Sequence, residues 1–216
     1  MKTVRLAMVA LGLVMAALPA QAQLTAIGSF TGTFQEDFES FQNYATDPNF
    51  YLASGTSTFG GAAVVSGAAN AVYEPGVAGF GLGGYGDATV HGGVKGLGVD
   101  NSDVTSATFT FTNTISQFGG WFAHSDPGSN LVRMRLYDTG GNLIQGEQTL
   151  FVGSSAMAWF GFSSTVAIKS VQISGDFPVM DDLQADPSAP VPEPFTMGLA
   201  GLALAAAARR RLGKSA

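Results

Sequence analysis

The sequence lacks cysteine altogether and contains few charged residues and only two histidines. With no cysteine among 216 residues, disulfide bonds, thiolate zinc sites and a cysteine nucleophile are excluded. Only 12% of the residues are charged and 46% are hydrophobic, so the chain is not a disordered acidic protein. It also lacks a Gly-X-Y period and Lys- or Glu-rich heptads, which excludes a collagen-like chain and a long coiled coil. The length fits one domain with end segments or two small domains.

Basic residues are scarce in the middle of the chain and concentrated at its two ends. Residues 23–190 contain four basic and fifteen acidic residues, a formal charge of −11. Lys2 and Arg5 stand near the start, and Arg209–Arg211 and Lys214 stand near the end. Because an acidic surface repels nucleic-acid phosphates, we expect no nucleic-acid partner.

Residues 1–22 have the three parts of a secretory signal peptide. Lys2 and Arg5 precede an uncharged apolar stretch, and Ala20-Gln21-Ala22 supplies the small-x-small pattern for cleavage before Gln23. The alternative is an amphipathic or membrane-spanning first helix, but the apolar part is short for a bilayer. We therefore expect export, with signal peptidase as a processing partner.

The C-terminus carries a proline-rich linker, an apolar stretch and a basic tail in that order. The four prolines of residues 187–194 disfavour a helix and favour an extended linker. Residues 195–208 are uncharged and would form roughly 21 Å of helix, short of the ~30 Å hydrocarbon core. The arginines of residues 209–216 would stay cytoplasmic. This predicts a short transmembrane helix that holds the chain transiently in the inner membrane, with an ordinary tail anchor as the alternative.

These C-terminal features together resemble the PEP-CTERM sorting signal of Gram-negative bacteria that make extracellular polysaccharide. The resemblance rests on Val191-Pro192-Glu193-Pro194, the apolar stretch, and Arg209, Arg210 and Arg211. It implies processing by an exosortase, a membrane transpeptidase-like enzyme that recognises Pro-Glu-Pro and removes the anchor. It also implies delivery to the cell surface or extracellular matrix. A family label of this tail, "ice-binding protein C-terminal", implies nothing about ice.

Hydrophobic residues between 23 and 186 alternate with a period of two, as in half-buried strands. Phe109 and Phe111 alternate with threonines, and Val132, Met134 and Leu136 alternate with polar residues. We predict strands at 106–113, 131–137, 148–152, 157–162, 166–174 and 178–184. Asp138-Thr139-Gly140-Gly141-Asn142 predicts a tight turn, with Leu143-Ile144 starting the return strand. The expected fold is an all-β antiparallel two-sheet sandwich.

Residues 118–184 resemble the jelly-roll domains of many PEP-CTERM proteins, which are similar to carbohydrate-binding modules. The matching segments are Phe118-Gly119-Gly120-Trp121-Phe122, residues 132–142, Trp159-Phe160-Gly161-Phe162, residues 168–174 and Met180-Asp181-Asp182-Leu183. In that group an acidic residue near the first strand and an Asp of the last strand often meet at an edge, sometimes around calcium. Glu39 and Asp181 or Asp182 occupy the matching positions.

Asp181-Asp182 is the sharpest metal candidate in the sequence itself. Calcium takes six to eight oxygen ligands, and adjacent strand residues point to opposite faces. One carboxylate would then face the core unless a metal or hydrogen bonds compensate it. The alternative places the pair at a strand end with both carboxylates in water. A structural calcium ion at Glu39, Asp181 and Asp182 is the one cofactor that we predict.

Few residues suit catalysis. Only His91 and His124 could act as bases near neutral pH. His124-Ser125-Asp126 is consecutive, so it is better explained as a turn than as a triad assembled from separate elements. Neither G-x-S-x-G nor H-E-x-x-H occurs. Fifteen acids allow a glycosidase pair, but nothing selects one. We therefore predict a non-enzymatic protein, with an extracellular glycan-active hydrolase as the alternative.

Trp121 and Trp159 are the candidate sugar-stacking residues, because an indole face offers apolar area to a pyranose ring. Each lies beside a phenylalanine in an apolar strand, so core packing is the prediction. Tyr73, Phe80 and Tyr85 lie in the glycine-rich segment 55–98, which we expect to form loops and short strands and which could instead line a groove. The predicted function is structural or adhesive, with extracellular polysaccharide as the partner, bound directly or through calcium.

Overall fold

The structure is a computed structural model and describes residues 23–42, 51–68, 70–75, 88–99, 105–125, 131–154, 156–175 and 177–189. The predicted signal peptide, the sorting motif, the apolar stretch 195–208 and the tail 209–216 lie outside these residues. None of the described residues belongs to a helix that is long and apolar enough to cross a membrane. The predicted segment boundaries at both ends therefore stay predictions.

Regular structure in the described residues consists of short and long β-strands and one turn of 3-10 helix, Phe59–Gly61. The strands are β1 (Leu24–Ala26), β2 (Phe34–Glu36), β3 (Thr56–Thr58), β4 (Ala63–Ser66), β5 (Asn70–Tyr73), β6 (Gly96–Val99), β7 (Ser106–His124), β8 (Leu131–Tyr137), β9 (Gln148–Phe151), β10 (Ala158–Gly175) and β11 (Pro178–Pro187). All pairings between them are antiparallel. The predicted all-β antiparallel class is confirmed.

The two longest strands, β7 and β10, form the centre of the sheet. The strand order is β5-β6-β11-β7-β10-β8-β9, with β1 on β10, β2 on β11, β4 on β7 and β3 on β4. β7 and β10 pair from Ala158 opposite Phe122 to Ser174 opposite Ser106, with register shifts between Ser163 and Ser170. Such irregularities bend a strand and increase its twist.

The bend turns this single sheet into a two-layer sandwich. The rings of Phe109 and Phe118 lie 6.4 Å apart, although nine residues of straight strand would span roughly 30 Å. Phe59 contacts both rings, at centroid distances of 5.8 Å and 6.4 Å. The two halves of β7 therefore belong to facing layers with the core between them. The predicted sandwich is built from one curled sheet rather than from two separate ones.

The bend also explains why the bounds of β7 and β10 differ from the predicted strands. The predicted strand 106–113 is only the first half of β7, and the predicted strands 157–162 and 166–174 are one strand, β10. The turn at 138–142 is confirmed, because Asp138 Oδ1 accepts the N–H groups of Gly140 and Asn142 at 2.8 Å each. The return strand begins at Gln148 rather than at Leu143, which forms only an isolated bridge.

Glu36 ties β2 to the 3-10 turn from inside the core. Its Oε1 accepts the N–H of Phe38 at 3.0 Å, and its Oε2 accepts the N–H of Phe59 at 2.7 Å. Both phenylalanines have positive φ, +58° and +54°, and both are buried. Burial raises the pKa of Glu36, although its two backbone hydrogen bonds oppose that rise. One carboxylate thus fixes two strained backbone positions of the core.

Candidate functional site

Trp121 and Trp159 lie on the outer face of the sheet and not in the core. They are direct cross-strand partners, and each is partly exposed. Because side chains alternate across a strand, the neighbouring Phe118 and Phe122 take the core positions and are fully buried. The prediction of core packing is therefore wrong for both tryptophans.

Two glycines provide the space in which the Trp159 indole lies. Gly119 and Gly161 are cross-strand partners on the same outer face. A Cβ at Gly119 would lie 2.6 Å from Cζ2 of Trp159, and one at Gly161 would lie 3.1 Å from it. The indole therefore packs directly on the backbone of these glycines. Its Nε1 donates a hydrogen bond to the carbonyl of Ile27 at 3.1 Å, which fixes its orientation.

The loops on either side of the two tryptophans add two further rings. Phe30, between β1 and β2, meets Trp159 at 5.7 Å with an interplanar angle of 88°. His91, before β6, stacks on Trp121 with ring centroids 3.7 Å apart and an angle of 9°. Trp121 and Trp159 themselves meet at 6.0 Å and 72°. The four rings form one continuous aromatic surface.

A bulge in β11 places both Asp181 and Asp182 next to the His91 loop. Asp181 is opposite Trp121 and Gln184 is opposite Gly119, so β11 takes three steps where β7 takes two. Asp182 has a φ of +45°. The rule that adjacent strand residues point to opposite faces fails at such a bulge. The alternative of two solvated carboxylates is also wrong, because Asp181 is completely buried.

Asp181 anchors the backbone of the His91 loop. Its Oδ2 accepts the N–H groups of His91 and Gly92 at 2.8 Å and 2.9 Å, and its Oδ1 accepts the N–H of Asp182 at 2.7 Å. Burial raises the pKa of Asp181 to about 6, against the opposing effect of these hydrogen bonds. Asp182 contacts the same loop through its side chain, with Oδ2 2.6 Å from Nδ1 of His91. Since a carboxylate accepts, the imidazole Nδ1–H donates this bond.

Glu39 holds the other end of this loop. Its Oε1 accepts the N–H groups of Val94 and Lys95 at 2.6 Å and 2.7 Å. The Lys95 ammonium donates to the carbonyls of Glu39 and Phe41 at 2.8 Å each. The three residues predicted as calcium ligands, Glu39, Asp181 and Asp182, therefore all contact residues 91–95.

These hydrogen bonds compete with the predicted calcium ion for the three carboxylates. Each of the three carboxylates accepts hydrogen bonds from N–H donors of the loop, which use lone pairs that a cation would need. Within the residues that the structure describes, no group of three or more His, Asp or Glu side chains is arranged to hold a metal ion. A calcium ion at these residues stays a prediction.

The aromatic surface and the bulge border an open groove with a volume of about 490 Å³. The groove is lined by Ser29, Phe30, Thr31, His91, Trp121, Trp159, Asp182 and Gln184. Flat rings beside a carboxylate, an amide and hydroxyl groups can stack on a sugar ring and hydrogen-bond to its hydroxyls. Asp182 is the one carboxylate among these described lining residues, whereas glycoside hydrolysis uses two.

Other residues considered from the sequence lie elsewhere. Tyr73 is buried, and Phe80 and Tyr85 lie outside the described residues. His124 and Ser125 are buried at the end of β7. Phe30 and the pairing of His91 with Asp182 are not predicted from the sequence. The glycines two residues from each tryptophan, Gly119 and Gly161, were a usable signal, because they share its face and leave room for a ring.

Comparison with known proteins identifies the C-terminal end. Residues 190–211 match the family model described as the PEP-CTERM protein-sorting motif. This match spans Val191-Pro192-Glu193-Pro194 and all three arginines, Arg209, Arg210 and Arg211. No curated protein matches the sequence.

Solved structures that resemble the chain include carbohydrate-binding modules. CsCBM6-3 from Clostridium stercorarium, in complex with cellobiose, is 13% identical, with 75% of this chain and all of that chain covered and a TM-score of 0.38. TmCBM61, in complex with beta-1,4-galactotriose, is 17% identical, with 58% and 88% covered and a TM-score of 0.31. The enzymatically active domain of tailspike protein 4 of bacteriophage CBA120 is 12% identical, with 64% and 22% covered and a TM-score of 0.30.

The sorting motif indicates an exported protein that is directed to the cell surface, and it implies processing by an exosortase. The resemblance noted from the C-terminal residues is thereby confirmed: the chain carries the PEP-CTERM protein-sorting motif at residues 190–211.

Proposed function

We propose that this protein is held briefly in the inner membrane, released or attached at the cell surface by an exosortase, and there binds a glycan through its aromatic groove. Its role is adhesive or structural within the extracellular polysaccharide. The observation that carries the proposal is the groove itself, in which two indoles lie on the outer face of a chain with a surface-sorting motif.

The groove combines exposed aromatic rings with polar side chains, which suits the binding of a sugar. Large aromatic side chains on the outer face of a sheet bury less apolar area than core residues do, and here Gly119 and Gly161 provide the space for one of them. A pyranose ring placed against Trp159 would bury apolar area, while Asp182 and Gln184 offer polar groups to its hydroxyls. We therefore propose a carbohydrate as the ligand.

The test is retention of the purified full chain, in mild detergent, on the exopolysaccharide of its native host and on a panel of immobilised glycans. We expect retention on at least one glycan, and at least tenfold weaker binding for Trp159→Ala, because truncating a central aromatic residue removes the stacking surface. Phe151→Ala is the matched control, since Phe151 is 70% exposed on β9 and does not line the groove. Retention on no glycan, or equal binding by the Trp159 and Phe151 variants, would contradict the proposal.

We further propose that binding occurs without bond cleavage. The described lining residues provide Asp182 but no second carboxylate to complete an acid–base or acid–nucleophile pair. An extracellular hydrolase is the competing function. Release of reducing ends from a bound glycan, abolished by Asp182→Asn, would establish that function instead.

A further inference from the structure

The Asp182 carboxylate faces the groove and can accept a further hydrogen bond. The Asp182 side chain is 28% exposed, and its Oδ2 accepts the hydrogen bond from His91. Its Oδ1 accepts no hydrogen bond from the described residues. A ligand in the groove therefore meets a carboxylate that can form a further hydrogen bond or ion pair.

Among the described lining residues no lysine or arginine balances this charge, and His91 is charged only when its imidazole is protonated. All four basic residues of the segment 23–190 are described, and none of them lines the groove. Lys95 donates to the carbonyls of Glu39 and Phe41, and Lys169 donates to the carbonyl of Thr112 at 3.0 Å. Arg133 and Arg135 both pair with Glu147. A sugar acid in the groove would lack a permanent counter-charge from the described residues. It would also experience the field of the segment 23–190, whose formal charge is −11.

An ammonium group finds the opposite environment. Phe30, Trp121 and Trp159 line the groove with steep angles between neighbouring rings, and aromatic faces attract cations. The nearby carboxylate of Asp182 adds a charge-assisted hydrogen bond to an N–H donor. A hydroxyl or N-acetyl group at the same position would gain neither the ion pair nor the cation–π attraction.

We propose that the groove prefers glycan units with a free amino group over neutral, N-acetylated and acidic units. This inference deepens the proposed function and rests on it, because it names the chemical class of the sugar and assigns its ammonium to Asp182 and the aromatic rings. The contribution of an exposed ion pair and a cation–π contact amounts to about a tenfold preference.

The experiment measures binding of the full chain in mild detergent by isothermal titration calorimetry at about pH 6.5, where a primary amine is protonated. The ligands are four β-1,4-linked oligosaccharides of equal length: oligoglucosamine, its fully N-acetylated form, a cello-oligosaccharide and an oligouronate. We expect oligoglucosamine to bind about tenfold more tightly than the two uncharged ligands and the oligouronate to bind most weakly. The preference should shrink at high salt, because an exposed ion pair is screened.

Two variants separate the groove from the general charge of the body. Asp182→Asn should bind oligoglucosamine and the cello-oligosaccharide equally. Asp186→Asn, on the same strand but outside the groove, should keep the full preference, since Asp186 contacts Thr33 instead. If Asp182→Asn does not fold, Asp182→Ser takes its place, because it also removes the carboxylate and should also abolish the preference.

The outcomes distinguish the two proposals. Equal binding of neutral and amino sugars, tighter binding of the uronate, or equal losses in the two Asp variants would overturn the amino-sugar inference and leave glycan binding intact. Binding of none of the four ligands, together with no retention on the glycan panel, would overturn the proposed function itself.

Discussion

At the scale of single residues, the site depends on Asp181, a buried acid whose hydrogen bonds position a loop. Burial raises the pKa of Asp181 to about 6 from an ordinary value of 3.8. Between these two pH values the folded chain retains a proton that the unfolded chain loses. The charged form therefore weakens the fold at neutral pH by up to about 3 kcal/mol, and this loss is recovered as the pH falls.

We expect the free energy of unfolding to rise as the pH is lowered from about 7.5 to about 5, as measured by urea denaturation. Glu36, whose pKa is also raised by burial, acts in the same direction. Asp181→Asn should remove the part of the slope that belongs to Asp181. Asp138 has a lowered pKa, so its effect is confined to the acidic side of 3.8. An identical slope in the variant would show that Asp181 titrates normally.

Gly161 lies directly beneath the Trp159 indole and leaves room for that ring. Gly161→Ala would place a Cβ 3.1 Å from two atoms of the Trp159 ring and 3.3 Å from Ile27, so the indole has to move. We expect a changed tryptophan fluorescence spectrum and severalfold weaker glycan binding, with the fold retained. Gly28→Ala is the matched control, because its Cβ would meet nothing within 4 Å. Identical spectra and affinities for the two variants would contradict the position assigned to Trp159.

The individual contacts of the site could be predicted only in part. Glu39, Asp181 and Asp182 could be singled out from the sequence, and they do converge on one segment. Their orientation could not be predicted, because the β11 bulge reverses the alternation at Asp182. The position of His91 depends on hydrogen bonds to acids about ninety residues away, which no local pattern records. Contacts of that kind are set by tertiary structure and not by side-chain periodicity.

At the scale of secondary-structure elements, periodicity predicted strands from residue 106 onward but placed none of β1 to β6. It gave the bounds of β8 correctly and the lengths of β7 and β10 wrongly. Alternation is local, so it identifies the first half of β7 but not the second, where buried residues run together. The buried residues change phase along this strand, from odd positions such as Phe109 and Phe111 to even positions such as Phe118 and Phe122. That change of phase marks the bend that joins the two layers. Without knowledge of the pairing, the two halves appear as separate strands or as a strand and a loop.

Glu36 links β2 to the 3-10 turn through two backbone hydrogen bonds, and a substitution at this position tests the link. Glu36→Gln replaces one acceptor oxygen by an amide that cannot accept, so the N–H of either Phe38 or Phe59 loses its partner in a buried position. We expect a loss of about 2 kcal/mol in the free energy of unfolding. Glu147→Gln, which alters a half-exposed ion pair with Arg133 and Arg135, should cost less than about 1 kcal/mol. Equal losses in both variants would contradict the anchoring role of Glu36.

At the scale of the whole molecule, one strand connects the groove to the sorting segment. β11 contains Asp182 in the groove and continues to Pro187, and the N–H of Ser188 donates to the carbonyl of Thr114 at 2.9 Å. Six residues of strand separate Asp182 from Ser188, roughly 20 Å along the chain. The sandwich therefore holds the chain up to the residues just before the motif and keeps the groove well away from that exit. Such an arrangement is compatible with glycan binding both before and after removal of the tail.

The sorting segment gives the last prediction, which concerns the covalent ends of the mature protein. Mass spectrometry of the form recovered from the native host's surface or medium should show a start at Gln23 and the loss of Arg209, Arg210 and Arg211. Under the proposed function, an exosortase recognises Pro192-Glu193-Pro194. Replacing these residues by alanines should therefore leave the arginines in place and keep the variant in the membrane fraction. Glu147→Ala, a change at an acidic residue of the β-sandwich, should be processed as the wild type is. Because the described residues that line the groove all lie between Ser29 and Gln184, the unprocessed variant solubilised in detergent should still bind glycan with wild-type affinity. Processing of the alanine variant at the normal site, or recovery of the intact 216-residue wild-type chain from the soluble cell interior, would show that this motif does not direct the protein outward.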